Sequence, residues 1–406
     1  DVFSLGPGAV TNSGVSPDSP LLSPEVALQK FDLTADDVVY IDTGIYPLTN
    51  ALGLAVGLAG NVFETGSTGQ PIRIIGSPDR TNGGTRIIGM PISTGACMTI
   101  RQARYVEVEN LALEGSGHGI YLEGAAVIGL SDMRIYSNLV NGIYSVSTRD
   151  VTVRRSEVWA NGYYGVAADI LPASIVFDQG VVWNNASGAV FAANLGRVAV
   201  SNSILQAGLP NANIMYSEGV ATLAGDYNMF WPQNGARIGL DARRRLAMNS
   251  LSAWQNGWNC DSNSAVLDPS LSDPVAGLFY LRSAAGRYDH PNSTNFVADT
   301  NTSWAIDAAD PARSFSAEAS PNGGRMNLGS HGHTFRASLS VTNPALRALQ
   351  AISFIDGGQM AVPMNLRWFA RGFATNDLVY LEYSVDDGVN WRLIATNIPA
   401  VQGSYY

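Results

Sequence analysis

Six segments of the chain superimpose on one another: VEVENLALEGS from Val106, IGLSDMRIYSN from Ile128, VTVRRSEVWAN from Val151, IVFDQGVVWNN from Ile175, VAVSNSILQAG from Val198 and ATLAGDYNMFW from Ala221. Their starts lie 22, 23, 24, 23 and 23 residues apart. No other feature constrains the fold as much, because a repeat this short cannot bury its apolar face alone and must stack on its neighbours. Apolar residues mostly fill offsets 0, 2 and 7, as in Val151, Val153 and Val158. That is the two-residue alternation of a strand, broken by a tight bend. A third short strand follows a turn in GIYLEG (119–124), GIYSVS (142–147), GVAAD (165–169) and GAVFAA (188–193).

Three short strands per coil of about 23 residues, with no helical window between them, predict an all-β parallel β-helix. Coils then stack at about 4.8 Å, the strand spacing. Equivalent inward residues should form ladders such as Leu113, Ile135, Val158, Val182 and Leu205, and Asn138, Asn161 and Asn185 share one offset, as an asparagine ladder would. A solenoid leaves open strand edges at both ends, which need capping. SPEVALQKF (23–31) is predicted to be an N-terminal cap helix, with Ser23 as N-cap and Pro24 at the first helical position. The predicted organisation is an entry segment and cap over 1–35, a β-helix over 36–334 and a small β-sandwich over 335–406. In the last part, ASLSVT, AISFID (351–356), MNLRWFARG, LVYLEYSVD and WRLIATNI are strand-like runs between turns. SVDDGVNW (384–391) has the form of an Asp-box hairpin turn, with Trp391 expected to pack beneath it. At about 70 residues against ~100 for an Ig-like domain, the sandwich could lack a strand.

Composition narrows the function. Charged residues make up 14% of the chain, the net charge is −10, and Lys30 is the only lysine. Nucleic acid, which needs a basic face to release counterions, is not an expected partner. No apolar run is long enough to insert in a membrane, and no cofactor is indicated, although Ca2+ is an ion such a surface could still take. Asp1 is not an initiator methionine, so the chain reads as a mature or excised piece of something longer. Whether Cys97 and Cys260 meet is left open.

The opening segment DVFSLGPGAVTNSGVSPDSP, the coil repeats and the stretch WAIDAADPARSFSAEASPNGGRMNLGSHGHT together resemble right-handed parallel β-helix proteins of the PbH1-repeat, pectate-lyase-like superfamily. More narrowly, they are similar to β-helix modules of large secreted bacterial proteins, in which an Ig-like or fibronectin-like sandwich often follows. The resemblance implies a right-handed coil and an extracellular or cell-surface setting. It implies no single activity, because such folds serve lyases, hydrolases and adhesins alike.

By analogy with polysaccharide-active members, a groove would follow the third-strand sheet, where His118, Tyr121, Glu123, Tyr144 and Asp169 face outward and Tyr163 and Tyr164 lie in a neighbouring loop. A lyase would use His118 and Tyr144 for proton abstraction, with Arg149 stabilising the charge. A hydrolase needs two carboxylates; Glu123 and Asp169 fall two coils apart, about 9.6 Å, at the upper edge of the inverting range. At offset 8, Tyr136, Trp159 and Trp183 stack on one face and could hold sugar rings, unless a loop covers them. His331 and His333 share a strand face but lack a third ligand, so no metal site is expected, and PNGGRMNLGSHGHT (321–334) reads as the closure of the last coil. Two classes remain: a structural or adhesive module that contacts glycans or copies of itself, including polymerisation through the sandwich, and a polysaccharide lyase or glycoside hydrolase.

Overall fold

The computed structural model describes all residues except 1–2, 52, 60–61, 80–82, 291, 354 and 356–363, together with the backbone but not the side chains of 58–59 and 62–63. Its main body is a parallel β-helix, a rod built from three sheets of 8, 9 and 10 strands among the described residues. The first sheet starts at Val38–Ile41 and ends at Thr222–Asp226, the second runs from Gly44–Pro47 to Ala265–Val266, and the third includes His118–Glu123, Ile143–Val146, Tyr164–Asp169, Gly188–Ala192 and Asn213–Ser217.

The register agrees with the repeat. Val106, Ile128, Val151, Ile175 and Val198 are paired partners in successive coils, and Leu113, Ile135, Val158, Val182 and Leu205 form one fully buried ladder. The sixth segment is the exception: Val198 pairs with Leu223, so the true repeat begins two residues later than Ala221. The loops of that coil are longer, and the chain crosses them before it rejoins the sheet. Each buried aliphatic side chain on a ladder contributes roughly 1.5–3 kcal/mol.

Two bends hold the spacing constant. Between the first and second sheets, Asn110, Asp132, Arg155, Gln179, Asn202 and Tyr227 all take positive φ, between 45° and 59°. After the second sheet the asparagine ladder closes the turn. Asn138 Nδ2 donates to Asn161 Oδ1 at 3.0 Å and Asn161 Nδ2 to Asn185 Oδ1 at 2.8 Å, and each side-chain oxygen also accepts the preceding rung's backbone N–H. The glycines of the GIY-like stretches are a consequence. A Cβ at Gly119, Gly142 or Gly165 would collide with Ile135, Val158 or Val182 and crowd the ladder amides.

Both rod ends are covered. The first helix, α1 (Pro24–Lys30), begins as expected at Ser23, whose Oγ accepts from Val26 N–H, and Leu28 packs against the core. At the other end α2 (Leu251–Trp258), which the sequence reading did not foresee, lays the fully buried Trp254 over Gly239. Beyond Val266 the chain turns back along the second sheet. Leu271, Phe279, Leu281, Ala305, Ile306, Met326 and Leu328 bury Trp159, Val181, Ile204 and Met229 beneath a cover.

The stretch 321–334 belongs to this cover and does not close the last coil. Gly329 N–H donates to Asn202 O, Gln179 to Gly332 O, and Ser330 Oγ to Glu157 Oε1, so it runs down the rod's flank across three coils. His331 stacks on Tyr280 with centroids 3.9 Å apart and sits 3.3 Å from Glu157. Both partners, Tyr280 and Glu157, are themselves buried.

From Ala348 the chain forms a three-stranded antiparallel sheet (Ala348–Ala351, Leu366–Arg371, Ser404–Tyr405) and a hairpin (Leu378–Tyr383, Arg392–Pro399). Phe354 and Asp356 of the expected strand 351–356 lie outside the described residues. Two arginines dock this part: Arg367 donates to the carbonyls of Ser262, Asn263 and Ser264, and Arg371 donates to Thr302 O while lying over Trp304. The Asp-box turn forms, with Gly388 N–H on Ser384 Oγ and Asn390 N–H on Asp386 Oδ1, both at 2.8 Å. Trp391, expected beneath it, is 60% exposed, because its indole N–H is spent on Gly388 O and the ring lies along the turn. No described helix is long and apolar enough to cross a membrane. Cys97 and Cys260 are both free thiols.

Candidate functional site

The three faces of the rod differ in what they offer. The second is covered over the coils from Trp159 to Met229. The first presents small side chains and ion pairs that are already closed, such as Arg73 with Glu107 and Glu109 and Arg155 with Asp132. The third carries most of the chemistry-bearing groups.

Strand pairing puts Tyr121 beside Tyr144 and, in the adjoining file, Glu123, Val146 and Asp169 on three successive coils. The carboxylates are therefore two strand steps apart, about 9.6 Å between backbones. Arg101 Nε donates to Glu123 Oε2 at 2.6 Å. Asp169 accepts two hydrogen bonds, from Tyr144 O–H at 3.2 Å on Oδ2 and from Asn194 Nδ2 at 2.8 Å on Oδ1. Burial and the neighbouring Asp169 push the Tyr144 phenol up to about 12, so near neutral pH it keeps its proton and acts as a donor. His118 stacks on Tyr144 (5.0 Å, 22°) and on Tyr121 (6.0 Å, 27°). It is only 9% exposed, burial drives it down to about 4, and its buried Nδ1 has no hydrogen-bond partner. The imidazole is thus neutral through the physiological range, walled in by the tyrosine rings.

From the next coil onward, Tyr164, Phe191 and Tyr216 form a second stack with interplanar angles of 9–23°. Burial raises the Tyr164 phenol further than that of Tyr144. Sequence reasoning found Tyr164 but missed Phe191 and Tyr216; both occupy the register position of Tyr144, which reading the GIY-like stretches across coils would have supplied. Tyr163 is exposed beside this stack, and Arg101 and Asn194 were also missed.

Other expected residues fall elsewhere. Arg149 is exposed but lies past the turn, at the start of the first sheet opposite Ala126, and so does not join His118 and Tyr144. Tyr136 and Trp159 do stack, at 4.3 Å, but Trp159 is 7% exposed, with Phe279 edge-on at 5.3 Å and Arg134 over the ring. Trp183 also meets Phe279. Of the three rings expected to hold sugars, Trp159 is buried against the cover, while Tyr136 and Trp183 remain partly exposed. Among the described residues no group of three or more His, Cys, Asp or Glu gathers as a metal site.

The model of the family described as "Right handed beta helix region" matches residues 80–225. No curated protein matches the chain. Similar solved structures include a pectate lyase, Pel9A, at 14% identity, covering 80% of this chain and 94% of that one with a TM-score of 0.49. A rhamnogalacturonan lyase is 14% identical over 59% of this chain and 69% of its own, with a TM-score of 0.40. A GH136 lacto-N-biosidase from Eubacterium ramulus is 13% identical, over 58% and 56% respectively, with a TM-score of 0.36.

Proposed function

We propose that the chain is a secreted, glycan-cleaving β-helix that binds a polysaccharide along the outward face of its third sheet. One observation carries the reading: on the open face of the third sheet two carboxylates stand two coils apart among stacked rings, Glu123 paired with Arg101 and Asp169 accepting a hydrogen bond from the protonated Tyr144. A separation near 9.6 Å leaves room for water between acid and base, as inverting hydrolysis requires. Glu123, held by Arg101 through Oε2, keeps Oε1 for that water. Asp169, carrying a proton, would give it to the departing sugar oxygen, and Tyr144 O–H and Asn194 Nδ2 would hold its carboxyl group in place. Elimination is less well served, because Arg149 is remote from Tyr144 and the Tyr144 phenol, pushed up to about 12, stays protonated near neutral pH and offers no base.

The test is incubation with neutral, amino-sugar and uronate polysaccharides while following reducing ends and the ultraviolet absorbance of unsaturated products. The expected outcome is reducing ends without absorbance, with kcat lowered about 10²–10⁴-fold in Asp169→Asn and Tyr144→Phe. Absorbance in step with reducing ends would convert the reading to a lyase, and neither product nor retardation in glycan-loaded gels would remove it.

A second reading, attachment to a partner or to copies of itself, is supported by the C-terminal hairpin, where Leu378, Tyr380, Val385, Val389 and Trp391 are exposed together. Growth by stacking of rod ends is disfavoured, since α1 and α2 occupy both. Concentration-dependent light scattering, abolished by Tyr380→Ser with Trp391→Ser, would favour this reading; a constant monomer mass would end it.

A further inference from the structure

The cover contains two carboxylates that the proposed reaction does not use, Glu318 buried and Asp307 partly so. Asp307 Oδ1 accepts from Ser340 Oγ at 2.9 Å, while its Oδ2 presses against Gly323, where any side chain would collide with it. Glu318 is 6% exposed, and its Oε1 accepts the backbone N–H groups of Asn327 (2.9 Å) and His333 (2.8 Å). The other oxygen, Oε2, is buried with no hydrogen-bond partner. A lone buried carboxylate oxygen is costly as an anion and cheap as a hydroxyl.

Asn327 links the two acids. Its Oδ1 accepts from Asp307 N–H at 2.9 Å, its own N–H goes to Glu318, and its Nδ2 donates to Ser338 O at 2.8 Å. Three strips of the cover, around 307, 318–327 and 333–340, therefore converge on this pair. The charged and titratable groups that face it are few. Arg325 is near Asp307, but its guanidinium donates to the carbonyls of Ala308 and Ala309 and lies over Tyr227. Asp310 is near Arg325, and His333 contributes its backbone. The salt links Arg313 to Asp178 and His331 to Glu157 run from the cover to the rod and touch neither acid.

We propose that Asp307 and Glu318 are a proton-holding clasp: with protons retained they hold the three strips of the cover together, and ionisation loosens them. Burial supports this by raising both acids to about 7, Asp307 further through the Glu318 charge. The sign follows. In the open state the two would titrate at their ordinary 3.8 and 4.5, so the closed state binds more protons between there and about 7. Closure is tightest below the lower values, weakens as pH rises through about 7, and levels off above.

Hydrogen exchange on the intact chain, corrected for the intrinsic rate at each pH, tests the clasp. The opening constant reported by the Asn327 and His333 amides should rise at least tenfold from about pH 4.5 to about pH 7 and then level off. Rod amides such as Glu157 and Val181 should not follow. Glu318→Gln and Asp307→Asn should each flatten the profile, and the wild-type profile decides if either variant fails to fold. A flat wild-type curve, an equal rise in the rod amides, or a profile unchanged by both substitutions would overturn the proposal.

Discussion

Two files of aromatic rings climb the same rod and meet opposite fates. On the second sheet Tyr136 and Trp159 stack at 4.3 Å and Trp159 is buried beneath Phe279; on the third sheet Tyr164, Phe191 and Tyr216 stack at 4.9–6.0 Å and all stay partly exposed. Strand register pairs Tyr136 with Trp159 and Phe191 with Tyr216, whereas Tyr164 joins its stack from the position opposite Gly188. The difference comes from a segment outside the repeat. Stacking is a property of the coil, whereas availability is decided by whatever the rest of the chain lays over it.

The contrast can be broken most forcefully at its covered end. Trp159→Ala should leave a cavity between rod and cover and lower stability by about 3–5 kcal/mol. Phe191→Ala, which removes one ring from a stack open to solvent, should cost nearer 0.5–1.5 kcal/mol. Chemical denaturation of the two variants compares them directly, and equal losses would mean the cover adds nothing to the second-sheet file.

The open face is sharpened by its histidine. His118 is lowered from 6.5 to about 4 by burial, so the unfolded chain takes up this proton first as pH falls. Stability from His118 is complete above about 6.5 and drains away towards 4, by at most ~3 kcal/mol. An imidazole titration followed by NMR should show a midpoint near 4, and His118→Phe should flatten that part of the acid-stability curve. The smallest effect belongs to a ring with neither cover nor stack: Trp391→Ala, at an exposed turn, should shift stability within about 0.5 kcal/mol.

Much of the rod could be read from the residues because its period repeats one set of physical demands. Val106 to Val198 fall in register, and the asparagines at 138, 161 and 185 hydrogen-bond as one offset implies. Legibility ends where periodicity ends. The slip at Ala221 follows from longer loops, and the cover has no repeat to betray it, so PNGGRMNLGSHGHT passed for an end cap. Of the site, Glu123 and Asp169 were visible as a spaced pair, and Tyr144 as their neighbour. Their partners Arg101 and Asn194 were not, because each lies one coil away, in a segment whose own sequence gives no reason to look.

The column of left-handed residues between the first and second sheets has one more consequence. Glycine would adopt that backbone without strain, yet the corner holds Arg155, Gln179 and Tyr227. At two of these the side chain reaches something a glycine could not: Arg155 grips Asp132 one coil back, and Gln179 donates to Gly332 in the cover. Local conformational ease has been exchanged for tethering between layers. A designer who relaxed every corner to glycine would gain comfort per residue and lose the fastenings that make the stack and its flank one object.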